Sequence, residues 1–278
     1  MRRASLRRPL HVSKKWLYIP LICMAIFYLI PLFIMLNTGF KSFSEVDLKT
    51  MWDLPKGLHF DNFIAAFSKL APFLWNSFSM VIPAAIISSV LGSLNGFVLA
   101  KWKFRGSDII FPLILFGMFI PYQSILIPLV QFMKAINLNG LPGLVLAHVI
   151  YGIPITTLTF RNYYASLPQE LLEAARIDGA DMLGVYRHIL LPISVPSFVV
   201  VLIWQFTSAW NDFLFAVVLT GNTQWPVTVA LNNMAGSQII AWNVQMAGSL
   251  LAALPTLLVY IFLGRYFLRG LLAGALKG

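Results

Sequence analysis

WLYIPLICMAIFYLIPLFIML, residues 16–36, runs for 21 residues without a charged side chain. A helix of about 20 apolar residues crosses the hydrocarbon core of a bilayer, and inside that core only a helix or a closed barrel satisfies its own backbone. The run is longer than a signal-peptide core, and no small-residue cleavage pattern follows it, so it is expected to remain as a membrane span. Working outward, five more runs have span length: 73–100, 109–132, 141–160, 195–219 and 247–263. Pro31, Pro83, Pro121, Pro128 and Pro154 interrupt them. Such breakers are tolerated where neighbouring helices re-satisfy the freed backbone groups, which predicts a packed bundle. The fold class is therefore all-α, a polytopic membrane bundle of six spans.

Composition agrees. Of 278 residues, 59% are hydrophobic and 11% charged, against about 25% charged in soluble domains. The net charge of +10 does not point to nucleic acid: Arg2, Arg3, Arg7, Arg8, Lys14 and Lys15 sit ahead of the first span, where basic residues hold a cytoplasmic flank. With that terminus inside, the cytoplasmic segments carry fifteen Lys and Arg and the outer segments five (Lys41, Lys49, Lys56, Lys69, Lys134), so both termini are expected in the cytoplasm. The organisation is then a basic segment 1–15, a membrane domain 16–268 with outer segments 37–72 and 220–246, and a tail 269–278. Within 37–72, Asp61 or Asn62 is positioned to cap a short interfacial helix carrying Phe63, Phe67 and Leu70. Cys23 is the single cysteine, and His11, His59, His148 and His188 lack metal-ligand spacing, so neither a disulfide nor a metal site is expected.

Segment 161–192 does not read as a loop. Ser166 with Gln169 matches a capping box, Pro168 suits a first turn, and Leu171, Leu172, Ala175 and Ile177 make an apolar face. Gly179 suits a helix end, and Asp181 suits the cap of a second helix that stops before Pro192. That second piece carries Met182, Val185, Tyr186 and Ile189 at spacings of three and four. Patterning leaves two readings open: the apolar faces pack beneath the protein's own spans, or they meet a partner.

The string Glu173-Ala174-Ala175, three residues, Gly179, nine residues, Ile189, one residue, Leu191-Pro192 resembles the EAA motif of ABC-importer permease subunits at all seven defined positions. The resemblance covers essentially the whole chain. Asn76-Ser77, Ile120-Pro121-Tyr122-Gln123, Trp210-Asn211-Asp212-Phe213 and the ending 269–278 look like the carbohydrate-uptake branch, and within it the MalG-like subunits. The resemblance implies a type I importer permease whose EAA loop docks into a cleft of an ATPase subunit. Glu173, Ala174, Ala175, Asp178, Gly179, Ile189, Leu191 and Pro192 would form that docking region, and Arg269, Gly270, Gly274 and Lys277 a second contact. It also implies the partners: a MalF-like permease subunit, two copies of the ATPase, an extracytoplasmic sugar-binding protein and membrane lipid. By overall similarity the cargo is a sugar, such as the monosaccharide glucose.

The residues add what the chain does itself. No Gly-Lys dipeptide occurs, so there is no P-loop. ATP and Mg are expected on the partner ATPase and no cofactor on this chain. No nucleophile–base pattern supports an enzyme. A secondary carrier or channel is the alternative, but such carriers need ionisable groups inside the membrane, and Asp212 is the one clearly internal charge. Asp212 and Asn211, with Trp210 and Gln123, either line the translocation path or hydrogen-bond to neighbouring helices. The outer segment at residues 221–245 is uncharged and rich in amides between Trp225 and Trp242, suiting either a sugar-related contact or an interfacial belt.

Overall fold

The computed structural model describes residues 14–102, 104–236 and 240–275, without the side chains of 14, 15, 17, 176 and 267–275. Most of the basic N-terminus and Lys277 thus lie outside the described residues. For Arg269, Gly270 and Gly274 only the backbone is described, and it continues the last helix without a break at 268. The helices are α1 (Lys14–Gly39), α2 (Asp61–Lys101), α3 (Ser107–Phe116), α4 (Leu126–Ala135), α5 (Leu141–Ala165) and α6 (Glu170–Ile177). They are followed by α7 (Met182–Val185), α8 (Val195–Trp210), α9 (Leu214–Leu219), α10 (Val227–Ala235) and α11 (Trp242–Ala275). Among the described residues four stretches are long and apolar enough to cross a membrane: Tyr18–Gly39, Asp61–Lys101, Leu141–Ala165 and Trp242–Tyr266. Two bent pairs raise the number to as many as six.

Two of the runs expected as spans are sharply bent, one within the run and one at its start. Ser107–Phe119 and Tyr122–Ala135 meet at 90°. Ile120, ahead of Pro121, is forced to an extended backbone (ψ 115°), because a proline ring crowds the preceding residue out of the helical region. Met182–Ile193 and Val195–Trp210 meet at 76° around Ser194. Helix α7 does not stop before Pro192. It runs through a π-turn at Tyr186–Leu190 into a last turn, Leu191–Ile193, where Pro192 sits early enough that its missing N–H costs little. The run 195–219 is also interrupted, at residues 211–213. Nor does a separate interfacial helix form in 37–72. Asp61 lies within the first turn of α2, which continues for 41 residues, ~60 Å at helical rise, through Pro72 and Pro83.

The chain divides into two compact units: Met1–Ala66 with Ala241–Leu250, and Phe67–Ile240 with Leu251–Gly278. In the first, amides organise the outer segment. Asn62 Nδ2 donates to the carbonyls of Gly39 (2.9 Å) and Lys41 (2.8 Å), and Asn243 Nδ2 donates to Asn62 Oδ1 (2.8 Å). Lys41 is buried with its Nζ on the Thr50 carbonyl at 2.6 Å.

The second unit has two apolar cores. One gathers Met80, Leu144, Trp210, Phe215, Ala216 and Val227; the other gathers Phe97, Phe160, Leu172, Val185, Leu190 and Val201. Between them α2 and α5 touch closely, and Gly92-Ser-Leu-Asn-Gly96 makes this possible as a small-xxx-small stripe. A Cβ on Gly92 would stand 2.0 Å from Thr156 Oγ1, and one on Gly96 2.6 Å from the Arg161 nitrogen. Thr156 Oγ1 in turn donates across the contact to the Ser88 carbonyl at 3.0 Å.

Candidate functional site

Helix α6 ends where Gly179 adopts φ +83°, a conformation open to glycine at no steric cost. Its neighbours close the end: Asp178 N–H donates to the Ala174 carbonyl (3.1 Å) and Ala180 N–H to that of Ala175 (2.9 Å). Asp181 then caps α7 as expected, its Oδ1 accepting from Gly184 N–H at 2.7 Å. The start of α6 differs from the capping-box expectation. Ser166 closes the C-terminal end of α5, donating to the Tyr163 carbonyl, and α6 begins at Glu170.

The two faces of this helix pair separate what patterning left open. Leu172, Ala175, Val185, Tyr186 and Leu190 are buried in the chain's own core. Glu173, Ala174, Asp178 and Gly179 are exposed, together with Ile177 (87%) and Leu183 (65%). Of the other expected docking residues, Ile189 is half-buried against the core, while Leu191 and Pro192 are exposed. Ala175 thus faces inward, and the outer surface is an apolar tip rimmed by carboxylates.

Beneath the buried face lies a set of hydroxyls, of which periodicity singled out Tyr186 alone. Tyr186 Oη donates to Ser93 Oγ (3.0 Å), Ser93 pairs with Tyr164 Oη (2.7 Å), and Tyr164 donates to Ser194 Oγ (3.2 Å). Because the single hydroxyl hydrogen of Tyr164 is committed to Ser194, Ser93 is the donor to Tyr164. Ser194 passes its own hydrogen to the Leu191 carbonyl at 3.0 Å. One directed chain therefore joins α7, α2, α5 and the bend ahead of α8. Ser93, Tyr164 and Ser194 are 0% exposed. Lys101 Nζ adds a bond from the end of α2 to the Leu167 carbonyl at 2.7 Å.

The second constellation is a cleft of about 360 Å³ lined from α5, the turn at Tyr122 and the α8–α9 break. Asp212 sits at that break because it caps α9: Oδ2 accepts from Ala216 N–H (3.0 Å) and Oδ1 from Phe215 N–H (3.4 Å). Its carbonyl accepts from Thr228 Oγ1 at 2.7 Å. His148 Nε2 lies 3.5 Å from Asp212 Oδ2, with the two side chains 10% and 11% exposed. That nitrogen is buried and makes no hydrogen bond among the described residues. Asn211 joins Asp212 on the wall. Trp210 and Gln123 do not line it: Trp210 is buried with its Nε1 on the Ala252 carbonyl (3.0 Å), and Gln123 is exposed in the preceding turn. His148 was passed over in the sequence as one scattered histidine. The available signal was that a lone carboxylate and a lone imidazole inside spans tend to find each other.

The amides of the outer segment divide. Asn222, Gln224, Asn232 and Asn233 are exposed, whereas Asn243 and Gln245 are buried. Asn76 and Ser77 pin this segment, Asn76 Nδ2 donating to the Thr223 and Trp225 carbonyls (3.1 Å each) and Ser77 Oγ accepting from Val227 N–H (2.9 Å).

Residues 90–272 match the family of binding-protein-dependent transport system inner membrane components. The chain is 48% identical over 265 residues to a probable ABC transporter permease of Pyrococcus horikoshii, covering 94% of this chain and 96% of that one. It is 36% identical to the xylose/arabinose import permease XacI of Haloferax volcanii, over 88% and 87% of the two chains. Among solved structures, a bacterial ABC transporter involved in import of the acidic polysaccharide alginate matches with a TM-score of 0.79 at 20% identity, covering 94% of this chain and all of that one.

Proposed function

Because the chain belongs to the binding-protein-dependent transport system inner membrane components, a family of multi-pass membrane permeases, we propose that it carries ATPase motion into the membrane through α6 and α7. It is the permease subunit of an ABC importer for sugars, and the relative named for xylose and arabinose supports that cargo class. In this reading six spans form, with both termini in the cytoplasm. The complete importer adds a MalF-like subunit, two ATPase subunits that bind ATP and Mg, and an external sugar-binding protein. This chain is non-catalytic and holds no cofactor.

The observation that carries the reading is the two-faced helix pair. An exposed tip of Ile177, Gly179 and Leu183, rimmed by Glu173 and Asp178, lies back to back with a buried face. Small residues permit close approach of a partner backbone, and Glu173 offers a charged acceptor. The buried face and the hydroxyl chain make the pair move with α2, α5 and the α8 bend, so rigid-body motion of an ATPase reaches the spans. Residues 269–278 are the second contact, and the exposed amides Asn222, Gln224, Asn232 and Asn233 face the binding protein.

Gly179→Asp tests this directly. A Cβ there meets nothing within 4 Å, but a non-glycine residue is strained at φ +83°, so Ile177→Asp, at a side chain 87% exposed on the same tip, is made beside it as the variant that leaves the helix end unstrained. Loss of ATPase copurification with normal membrane insertion is expected. Full coupled uptake by both variants would refute the docking role, and transport by the chain without any nucleotide-binding partner would favour a secondary carrier.

A further inference from the structure

Resting on the importer reading, we propose that the cleft around Asp212 is a binding subsite for a neutral sugar ring contributed by this chain itself. Three features of the cleft point to that ligand. The first is size and wall. At about 360 Å³ it falls within the range of about 300–1,000 Å³ common for small-molecule sites. Phe215 holds the rings of Tyr122 (5.4 Å between centroids) and Tyr151 (5.1 Å) beside it. Flat apolar surface of this kind suits the C–H face of a pyranose, and the phenol hydroxyls supply polar edges.

The second is unspent hydrogen-bonding capacity. Each Asp212 oxygen accepts one backbone N–H, and a carboxylate offers about four lone-pair sites, so acceptor capacity remains on both. His148 Nε2 is buried and unbonded among the described residues, a costly state in a low-dielectric site. The gap from that nitrogen to Asp212 Oδ2 is 3.5 Å. A hydroxyl bridging the mouth of that gap donates to the carboxylate and accepts from the imidazole N–H. A vicinal hydroxyl then reaches Asn211, which also lines the cleft. Sugars carry hydroxyls in that arrangement, each both donor and acceptor.

The third is the donor set: among the described residues no lysine or arginine lines the cleft, and Asp212 is the one acidic side chain on its wall, 3.5 Å from His148. A sugar acid would bring a second carboxylate beside that of Asp212 with no lysine or arginine to receive it, so the site discriminates for neutral rings.

The test uses the assembled importer, copurified and placed in nanodiscs without the external binding protein, so that binding to the permease is read by itself. The probes are D-glucose, D-xylose and L-arabinose, with D-glucuronate as the anionic counterpart, followed by saturation-transfer NMR and equilibrium dialysis. Saturable binding of at least one neutral sugar is expected, with glucuronate at least tenfold weaker. Asp212→Asn keeps one acceptor for the Ala216 N–H of α9 but removes the charge, and is expected to weaken the neutral sugar at least tenfold and to relax the discrimination against glucuronate. His148→Asn gives a second, independent reading of the same loss. In a Cys23→Ser chain, Ser208→Cys on the cleft wall is exposed, and the bound sugar is expected to slow its alkylation. Absence of saturable binding by the wild-type complex, or unchanged affinity in both variants, overturns the subsite and leaves a water-filled cleft. The importer reading would survive that result, because it fails separately, by loss of ATPase copurification.

Discussion

Two polar clusters sit in the second unit on α5 and at the two ends of α8, and they are built in opposite ways. Near the bend ahead of α8, the hydroxyls of Tyr186, Ser93, Tyr164 and Ser194 hand one hydrogen each along a closed chain that ends on a carbonyl. At the α8–α9 break, Asp212 spends part of its acceptor capacity on a cap and faces an imidazole nitrogen that has no hydrogen bond among the described residues. A buried cluster whose donors and acceptors are all matched holds helices in one arrangement, and a buried cluster left short by one partner is prepared to take one. The first therefore belongs to transmission and the second to binding. The helices α2 and α5 are kept in contact beside the hydroxyl chain by Gly92 and Gly96, which flank Ser93.

The largest expected effect comes from breaking that contact. Gly92→Val drives a side chain into Thr156, whose Oγ1 would lie 2.0 Å and whose backbone carbon 2.8 Å from the new Cβ. The helices must separate, at a cost of about 3 kcal/mol. The yield and melting temperature of the purified complex should both fall. A Gly92→Val chain that assembles and melts like wild type would mean that α2 and α5 tolerate separation and that the hydroxyl chain does not depend on their close contact.

Next in size is the hydroxyl chain itself. Tyr164→Phe removes the hub, leaving Ser93 without its acceptor and Ser194 without its donor, for an expected loss of about 2 kcal/mol. Tyr186→Phe removes a chain end, and Ser93 keeps Tyr164, so about 1 kcal/mol is expected. Thermal unfolding of the complex ranks the two. Coupling is the sharper measurement: ATP hydrolysed per sugar transported should rise in Tyr186→Phe although ATPase association persists. If that ratio stays at the wild-type value, the chain is packing only and the transmission role is withdrawn.

Asp212 separates cap from site with a smaller effect on folding. Asp212→Asn should cost less than Asp212→Ala, because the amide oxygen keeps the shorter bond to Ala216 N–H and only the 3.4 Å one to Phe215 is lost. Asp212→Ala should cost about 1 kcal/mol through the lost cap of α9. Melting temperatures that drop equally for both would mean the carboxylate charge stabilises the bundle, and the comparison between a closed and an open cluster would lose its second half.

Most of the architecture was legible because a bilayer forces long apolar runs to be helices, whatever packs around them. What was not legible follows from how bends and polar partners arise. The 90° bend at Ile120–Pro121 was written in the proline, yet Pro72, Pro83 and Pro154 sit within unbroken helices. Neighbouring helices decide which prolines bend the chain. The helix end at Gly179 and the cap at Asp181 were readable as local chemistry. Ser166 was not, because a serine between two helices can close one or open the other, and here it closes α5. The pairing of His148 with Asp212 spans 64 positions and the contact of Ser93 with Tyr186 spans 93, so no periodicity links them.

The smallest effect is expected from a third polar cluster, in the outer segment of the first unit, which is matched like the hydroxyl chain but open to water. The Ser42 backbone N–H leads the contacts that hold the Glu45 carboxyl below its ordinary value, against an opposing desolvation, and Lys56 N–H adds a second bond at 3.1 Å. A carboxyl whose folded pKa is depressed contributes stability that is fully present above its unfolded pKa. That contribution is lost as pH falls through the folded value, so the window lies at and below the ordinary glutamate range. Glu45→Gln should therefore lower the melting temperature slightly at neutral pH and converge with wild type as the buffer is acidified through that window. Because Glu45 is only half-buried, water competes for its bonds, and the shift should stay well below that of Tyr164→Phe. A Glu45→Gln shift as large as the Tyr164→Phe shift would mean that matching of partners, and not their burial, sets what a polar cluster contributes here. The contrast between the two buried clusters would then need a different physical basis.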